Sequence, residues 1–159
     1  MASLLACIPL ATTAADAPDL NYGLYLQFGL QTFNKPGVKG QIPAARFAPS
    51  TPLNLRAWAH AAKEAGMTFA VLPVKHETGF CLWASRSSEY NISQSPYKRN
   101  LIDDFIAACQ TENILPALHY SIPDGYNEGS INYKGPVSPQ YYEVIKQQIT
   151  EIHTSYPEI

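Results

Sequence analysis

The chain has 159 residues, 46% of them hydrophobic, 11% aromatic and 15% charged, with a net charge of −2. That is the length of one domain with enough apolar content to close a core, which excludes a disordered chain, and no apolar run approaches the roughly 18–20 residues of a membrane span. Eleven Lys and Arg face thirteen Asp and Glu with no basic stripe, so nucleic acid is not expected as a partner.

Residues 1–17 read as a processing segment. Leu4 to Leu10 form a short apolar stretch, and Thr12 to Ala17 supply small residues suited to signal cleavage. No basic residue precedes Lys35, so the charged start of a secretion signal is missing. Leu4-Leu5-Ala6-Cys7 also looks like a bacterial lipidation site at Cys7, and a disordered N-terminus is the plainer alternative. The expectation is secretion, to an extracellular, periplasmic or lysosome-like compartment, with residues 18–159 as the domain. Cys81 and Cys109 then leave one disulfide open, although Cys109 falls on a helix face where a free thiol serves as a small hydrophobe. No spacing resembles a zinc or redox motif, and no cofactor is expected. Asn91-Ile92-Ser93 is a formal glycosylation acceptor.

Tyr22, Leu24, Leu26 and Phe28 alternate with Gly23, Tyr25 and Gln27, the period of a strand. A Gly-, Pro- and Lys-rich loop follows to Ser50. Asn54 caps a helix over 55–65, stapled by Leu53 and Trp58 and stopped by Gly66, with Leu55, Trp58, Ala59 and Ala62 as its buried stripe. Residues 67–75 are apolar on both faces, as in a parallel strand covered by helices. Asn100 caps a second helix with Ile102, Phe105, Ile106 and Cys109 on one face, and a third strand follows over 114–121. Ser138-Pro139 opens a third helix, with Tyr142, Ile145, Ile149 and Ile152 on one face and a stop at Pro157.

Three βα units predict an α/β fold with parallel strands joined by right-handed crossovers. Connections after the strands are long, which places a site at their carboxyl ends in either an α/β barrel or an open sheet. No Gly-rich phosphate fingerprint follows a strand. A three-stranded α/β sheet is a poor independent fold, and the last helix ends where a fourth strand would be expected, so the chain reads as truncated.

His76 and Glu77 lie just beyond the second strand, His119 and Tyr120 near the end of the third with Asp124 soon after, and Gln27 at the end of the first. His60 and His153 fall on helices and read as solvated. A zinc protease motif fails because Phe80 stands four residues after His76. Glu77 and Asp124 follow adjacent strands and are a weak candidate for the paired carboxylates of glycoside hydrolysis. Neither Ser85 nor Ser121 sits on the strained turn of a hydrolase nucleophile.

Lys75-His76-Glu77-Thr78-Gly79-Phe80-Cys81-Leu82-Trp83, then Ser85, Tyr90-Asn91, Ser95-Pro96 and Lys98-Arg99, is similar to the signature of glycoside hydrolase family 29, the α-L-fucosidases. Phe47-Ala48-Pro49, Trp58-Ala59, the run Ala62 to Met67, and Leu118-His119-Tyr120-Ser121 resemble the same family in the same order. The resemblance implies the first three βα units of a (β/α)8 barrel of more than 300 residues that removes α-linked L-fucose with retention. It places the nucleophile Asp and the acid/base residue beyond Ile159, so the isolated chain carries no catalytic residue and is expected to be inactive. His76, Glu77, Gln27, Tyr120 and Trp83 are then the substrate-binding candidates, and a fucosylated glycan or related sugar is the partner. Gln27 stands where the family has a His, Glu77 where it has the second of two adjacent His, and His119 where it often has Tyr. The family's Glu-Trp pair has no counterpart between Asn34 and Ser50. A non-catalytic or vestigial carbohydrate-binding protein on the same scaffold is the alternative.

Overall fold

In the computed structural model, which describes residues 20–34, 40–130 and 135–159, each long helix begins at the cap its sequence supplies. The Asn54 side-chain oxygen accepts from the Ala57 N–H at 3.0 Å and opens α1, Leu55–Glu64. Gly66, at φ +78°, closes it, and Met67 N–H returns to the Ala62 carbonyl at 2.9 Å. The Asn100 side chain accepts from Ile102 and Asp103 at the start of α2, Leu101–Thr111. Asp124 caps a single turn, α3, Gly125–Glu128, and Ser138 caps α4, Pro139–Ser155.

The strands β1 (Gly23–Tyr25), β2 (Phe69–Lys75) and β3 (Leu115–Tyr120) form one parallel sheet in the order β1-β2-β3. Gly23 pairs with Phe69, and Phe69 with Leu115; the β2–β3 register slips between Pro73 and Lys75. The expected first strand is longer than the observed one. Leu26 N–H still reaches the Val71 carbonyl at 2.9 Å, but Phe28 N–H turns back to the Leu26 carbonyl at 2.7 Å. Gln27 therefore leaves the ladder and is exposed.

The core lies between the sheet and the helices. Leu72 and Val74 of β2 and Leu101 and Ile102 of α2 are fully buried, with Phe105, Ala59 and Ala62 around them. Burying a Leu or Ile side chain contributes about 1.5–3 kcal/mol, so this layer dominates the stability. Phe28, Phe33, Phe47, Phe80 and Tyr97 surround it with edge-to-face ring contacts at 5.1–5.9 Å or, for Phe47 on Phe80, a tilted one at 5.8 Å.

The buried face of α4 differs from the expected one. Tyr141, Ile145 and Gln148 point inward, whereas Tyr142 is 55% and Ile149 is 47% exposed. A buried cation draws the helix round. Lys75 sits under α4 with Nζ 2.6 Å from Asp124 Oδ2, 2.7 Å from the Tyr141 hydroxyl and 4.0 Å from the centre of the Tyr120 ring. The Tyr141 hydroxyl also bonds Asp124, and Gln148 accepts from Tyr120 while its amide meets Cys81. Polar residues at positions 141 and 148 are needed inside, because a charge taken from water must be ringed by partners.

Both Cys81 and Cys109 are free and buried, so the disulfide left open by the sequence does not form between them. The Asn91 side chain is also committed. Its amide donates to the Ser85 and Ser88 carbonyls, its oxygen accepts from Ser93, and the residue is 4% exposed. The glycosylation motif is thus used as a loop staple. The processing segment 1–17 and Cys7 lie outside the described residues; among those described, no helix is long and apolar enough to cross a membrane.

Candidate functional site

β2 ends in Lys75, and the chain then makes a tight turn, with Gly79 N–H donating to the His76 carbonyl at 2.9 Å. Gly79 has φ +86°, and a Cβ there would lie 2.6 Å from Asp124 Oδ1 and from Tyr126 Cβ, so conformation and space both require glycine. The turn delivers His76 and Glu77 to the carboxyl edge of the sheet.

His76 is 6% exposed, and its Nε2 lies 3.0 Å from the Phe28 carbonyl oxygen, which places a proton on that nitrogen. Nδ1 faces Glu77 Oε2 at 3.7 Å. Gly29 makes room for the ring, since a Cβ at that position would stand 2.7 Å from His76 Cδ2.

Glu77 is half-buried and its Oε1 accepts from Gln31 Nε2 at 2.8 Å. Burial acts to raise its pKa, but the Gln31 bond, a backbone bond, and His76 and His119 nearby outweigh it, so the carboxyl ionises below its ordinary range. Next to it on the sheet, the Tyr25 hydroxyl lies 3.0 Å from His119 Nδ1, the two rings meeting edge to face at 5.6 Å. Burial and then the Glu77 charge push the Tyr25 phenol above its ordinary value.

Five side chains from β1, the turn after it, the end of β2 and β3 thus converge: Tyr25, Gln31, His76, Glu77 and His119. A carboxylate acceptor, an imidazole, an amide and a phenol close together can exchange hydrogen bonds with a cluster of hydroxyls. Gln27 lies exposed at the same edge, between Tyr25 and Gly29.

The structure places the other candidates elsewhere. The Tyr120 hydroxyl points to Gln148 at 2.5 Å, and Trp83 Nε1 donates to Glu151 Oε2 at 2.8 Å, so both face α4. Asp124 is fully buried and bonded to Lys75, Tyr141 and Asn127. It cannot form a carboxylate pair across a substrate with Glu77, which corrects that expectation. His60 is exposed but lies 3.1 Å from Glu112, which also holds Arg56. Among the described residues, no three His, Cys, Asp or Glu side chains gather to hold a metal ion.

Gln31 carried no periodic signal, because it sits in a short 3-10 turn, Leu30–Phe33, after β1. Tyr25 was not among the expected site residues either, although strand alternation carries the signal: with Leu24 and Leu26 packed on the core, residue 25 falls on the opposite face.

The sequence profile of the family described as Alpha-L-fucosidase matches residues 17–158. A protein of Oryza sativa subsp. japonica, provisionally named alpha-L-fucosidase 1, is 35% identical over 141 residues, covering 86% of this chain and 26% of its own. Alpha-L-fucosidase 1 of Arabidopsis thaliana is 29% identical over 140 residues with the same coverage. An alpha-L-fucosidase of Bacteroides thetaiotaomicron superposes with a TM-score of 0.69 at 26% identity, over 85% of this chain and 36% of that one. The chain spans about a quarter of the length of the curated relatives it matches.

Proposed function

The chain belongs to the alpha-L-fucosidase family, and on that premise we propose that the full-length protein is a retaining exo-glycosidase that hydrolyses α-linked L-fucose from glycans or glycoconjugates. Residues 18–159 supply the first three βα units of its (β/α)8-like barrel and one wall of the sugar pocket. The observation that carries this reading is the convergence of His76, Glu77, Gln31, Tyr25 and His119 at the carboxyl edge of a parallel sheet, where such folds bind ligands.

In that pocket His76 is a rigid imidazole, fixed through Nε2 to the Phe28 carbonyl, and its Nδ1 side meets sugar hydroxyls beside Glu77. The Glu77 carboxylate, oriented by Gln31, accepts from a hydroxyl donor. Gln27 offers an amide that donates and accepts at the same rim. Tyr120 and Trp83 support the pocket from behind through Lys75 and α4.

Retaining hydrolysis needs a nucleophilic carboxylate and an acid/base group flanking the scissile bond. Asp124 is spent on Lys75 and is not available to Glu77 as such a partner. Nucleophile and acid/base come from outside these 159 residues, and the chain by itself does not turn over. Residues 1–17 direct the protein to a secretory route.

The test is to express the full-length protein and the 159-residue chain separately and assay both on an aryl α-L-fucoside. Hydrolysis by the full-length protein alone supports the reading. Hydrolysis by the short chain, or by neither, overturns it.

A further inference from the structure

The turn that carries His76 and Glu77 is held along one side by the segment between β3 and α3. Ser121 N–H donates to the Lys75 carbonyl at 3.0 Å, and Gly125 N–H donates to the Glu77 carbonyl at 2.7 Å. The His76 carbonyl between them takes the Gly79 N–H at 2.9 Å. Three successive carbonyls are thereby committed, two of them to this segment. Where the segment stands sets the backbone from which the Glu77 side chain leaves.

Asp124 fixes the segment. Its carboxylate is fully buried and accepts from three elements at once. Lys75 Nζ of β2 lies at 2.6 Å, the Tyr141 hydroxyl of α4 bonds it too, and Asn127 of α3 donates both its N–H and its side-chain amide at 2.9 Å. All four of these groups donate, so an amide in place of the carboxylate would turn its own NH2 against one of them. Oδ1 also rests on the turn itself, where Gly79 leaves it room. Gly125 comes next and opens α3. An N–H at the first position of a helix has no partner inside the helix, and here the Glu77 carbonyl takes it.

We propose that Asp124 is a positioning residue of the sugar site: it places the Gly125 N–H, which holds the Glu77 carbonyl and so sets where the Glu77 carboxylate meets a sugar hydroxyl. The proposal rests on the fucosidase reading above. It gives the buried Lys75–Asp124 pair a part in substrate binding as well as in stability.

The test is a double-mutant cycle in the full-length protein, assayed on an aryl α-L-fucoside. Gly125→Pro deletes the N–H at the first position of α3, a place proline favours, and the extended backbone of Asp124, at φ −132° and ψ 158°, suits a following proline. It is expected to raise KM about tenfold, the size of one weakened hydrogen bond to a charged group, and to change kcat less. In a Glu77→Ala background, where the carboxylate is already gone, the same substitution is expected to change KM by less than about twofold. Tyr141→Phe removes one donor to Asp124 while keeping the ring, and follows the same pattern with a smaller factor; it decides the matter if the proline variant does not fold. Equal KM losses in both backgrounds, or no loss in either, overturn the proposal, because a purely structural role is indifferent to residue 77. A Glu77→Ala variant with the wild-type KM takes Glu77 out of the pocket and overturns it as well. A wild-type protein inactive on the fucoside overturns the fucosidase reading itself, a failure visible before any substitution is compared.

Discussion

The Lys75 ammonium lies 2.6 Å from the Asp124 carboxylate, and neither side chain retains any solvent-exposed surface. The pair joins the end of β2 to the turn that starts α3, and through Tyr141 to α4. Lys75→Met leaves a buried carboxylate without its cation, and Asp124→Asn leaves a buried ammonium without its anion. Either change is expected to destabilise the fold by about 3–5 kcal/mol, and the double variant by less than the sum. Denaturant midpoints of the three variants check this; strict additivity would contradict it.

Acid weakens the fold through Asp124 and Glu77. Burial acts to raise both carboxyls, but Lys75 beside Asp124 and Gln31 beside Glu77 more than offset it and hold them below their ordinary values. Their contribution is therefore complete above about pH 4, where the unfolded groups ionise, and is lost as pH falls through the lower folded values. Alkali weakens the fold as well, through the buried thiols. Burial pushes the Cys81 and Cys109 thiols up to about 12, so the unfolded thiols ionise first and stability declines above about pH 9. Melting temperatures across the alkaline range should fall less steeply in Cys109→Ala than in the wild type. An equal slope would contradict the assignment.

Gly29 is placed for space. Its backbone is extended, and an added Cβ would stand 2.7 Å from His76 Cδ2 and 3.0 Å from Nε2. Gly29→Ala must push the imidazole away from the Phe28 carbonyl. The full-length variant is expected to lose about 10–100-fold in kcat/KM. Its overpacking cost should stay within about 1–3 kcal/mol. Unaltered kinetics in a folded variant would show that the His76 position does not matter.

Asn91 should carry no glycan when the protein is made in a eukaryotic secretory route. Its amide nitrogen already donates to Ser85 and Ser88 inside the loop. Treatment with an amidase that removes N-glycans should leave the mobility of a peptide spanning residue 91 unchanged. Asn91→Ala should cost about 1–3 kcal/mol, because the carbonyls it satisfies are left unpaired.

The sequence made the helices legible because caps and stripes are local. Asn54 and Gly66 bracket α1, Asn100 opens α2, and Ser138-Pro139 opens α4, each where observed. β2 was equally plain from its two-sided apolar run. The inward face of α4 was not, since hydropathy selects Tyr142 and Ile149 whereas a buried Lys75 selects Tyr141 and Gln148. A lysine at a strand end reads as solvated until the fold shows three aromatic and acidic partners converging on it.

The candidate site divides in the same way. His76 and Glu77 were visible from their place after β2, and the motif around them carried the family. The placement of Tyr120 and Trp83 against α4 depends on which face of the β3 and loop backbone each side chain leaves, and the motif is silent on that. Gln31 became visible only when its amide was found on Glu77.

The most direct test is to incubate the full-length protein with an aryl α-L-fucoside and follow the released sugar by proton NMR from the first turnover. Retention predicts that α-L-fucose forms first and then mutarotates. Release of β-L-fucose first, or no release from a folded full-length protein, would contradict the account.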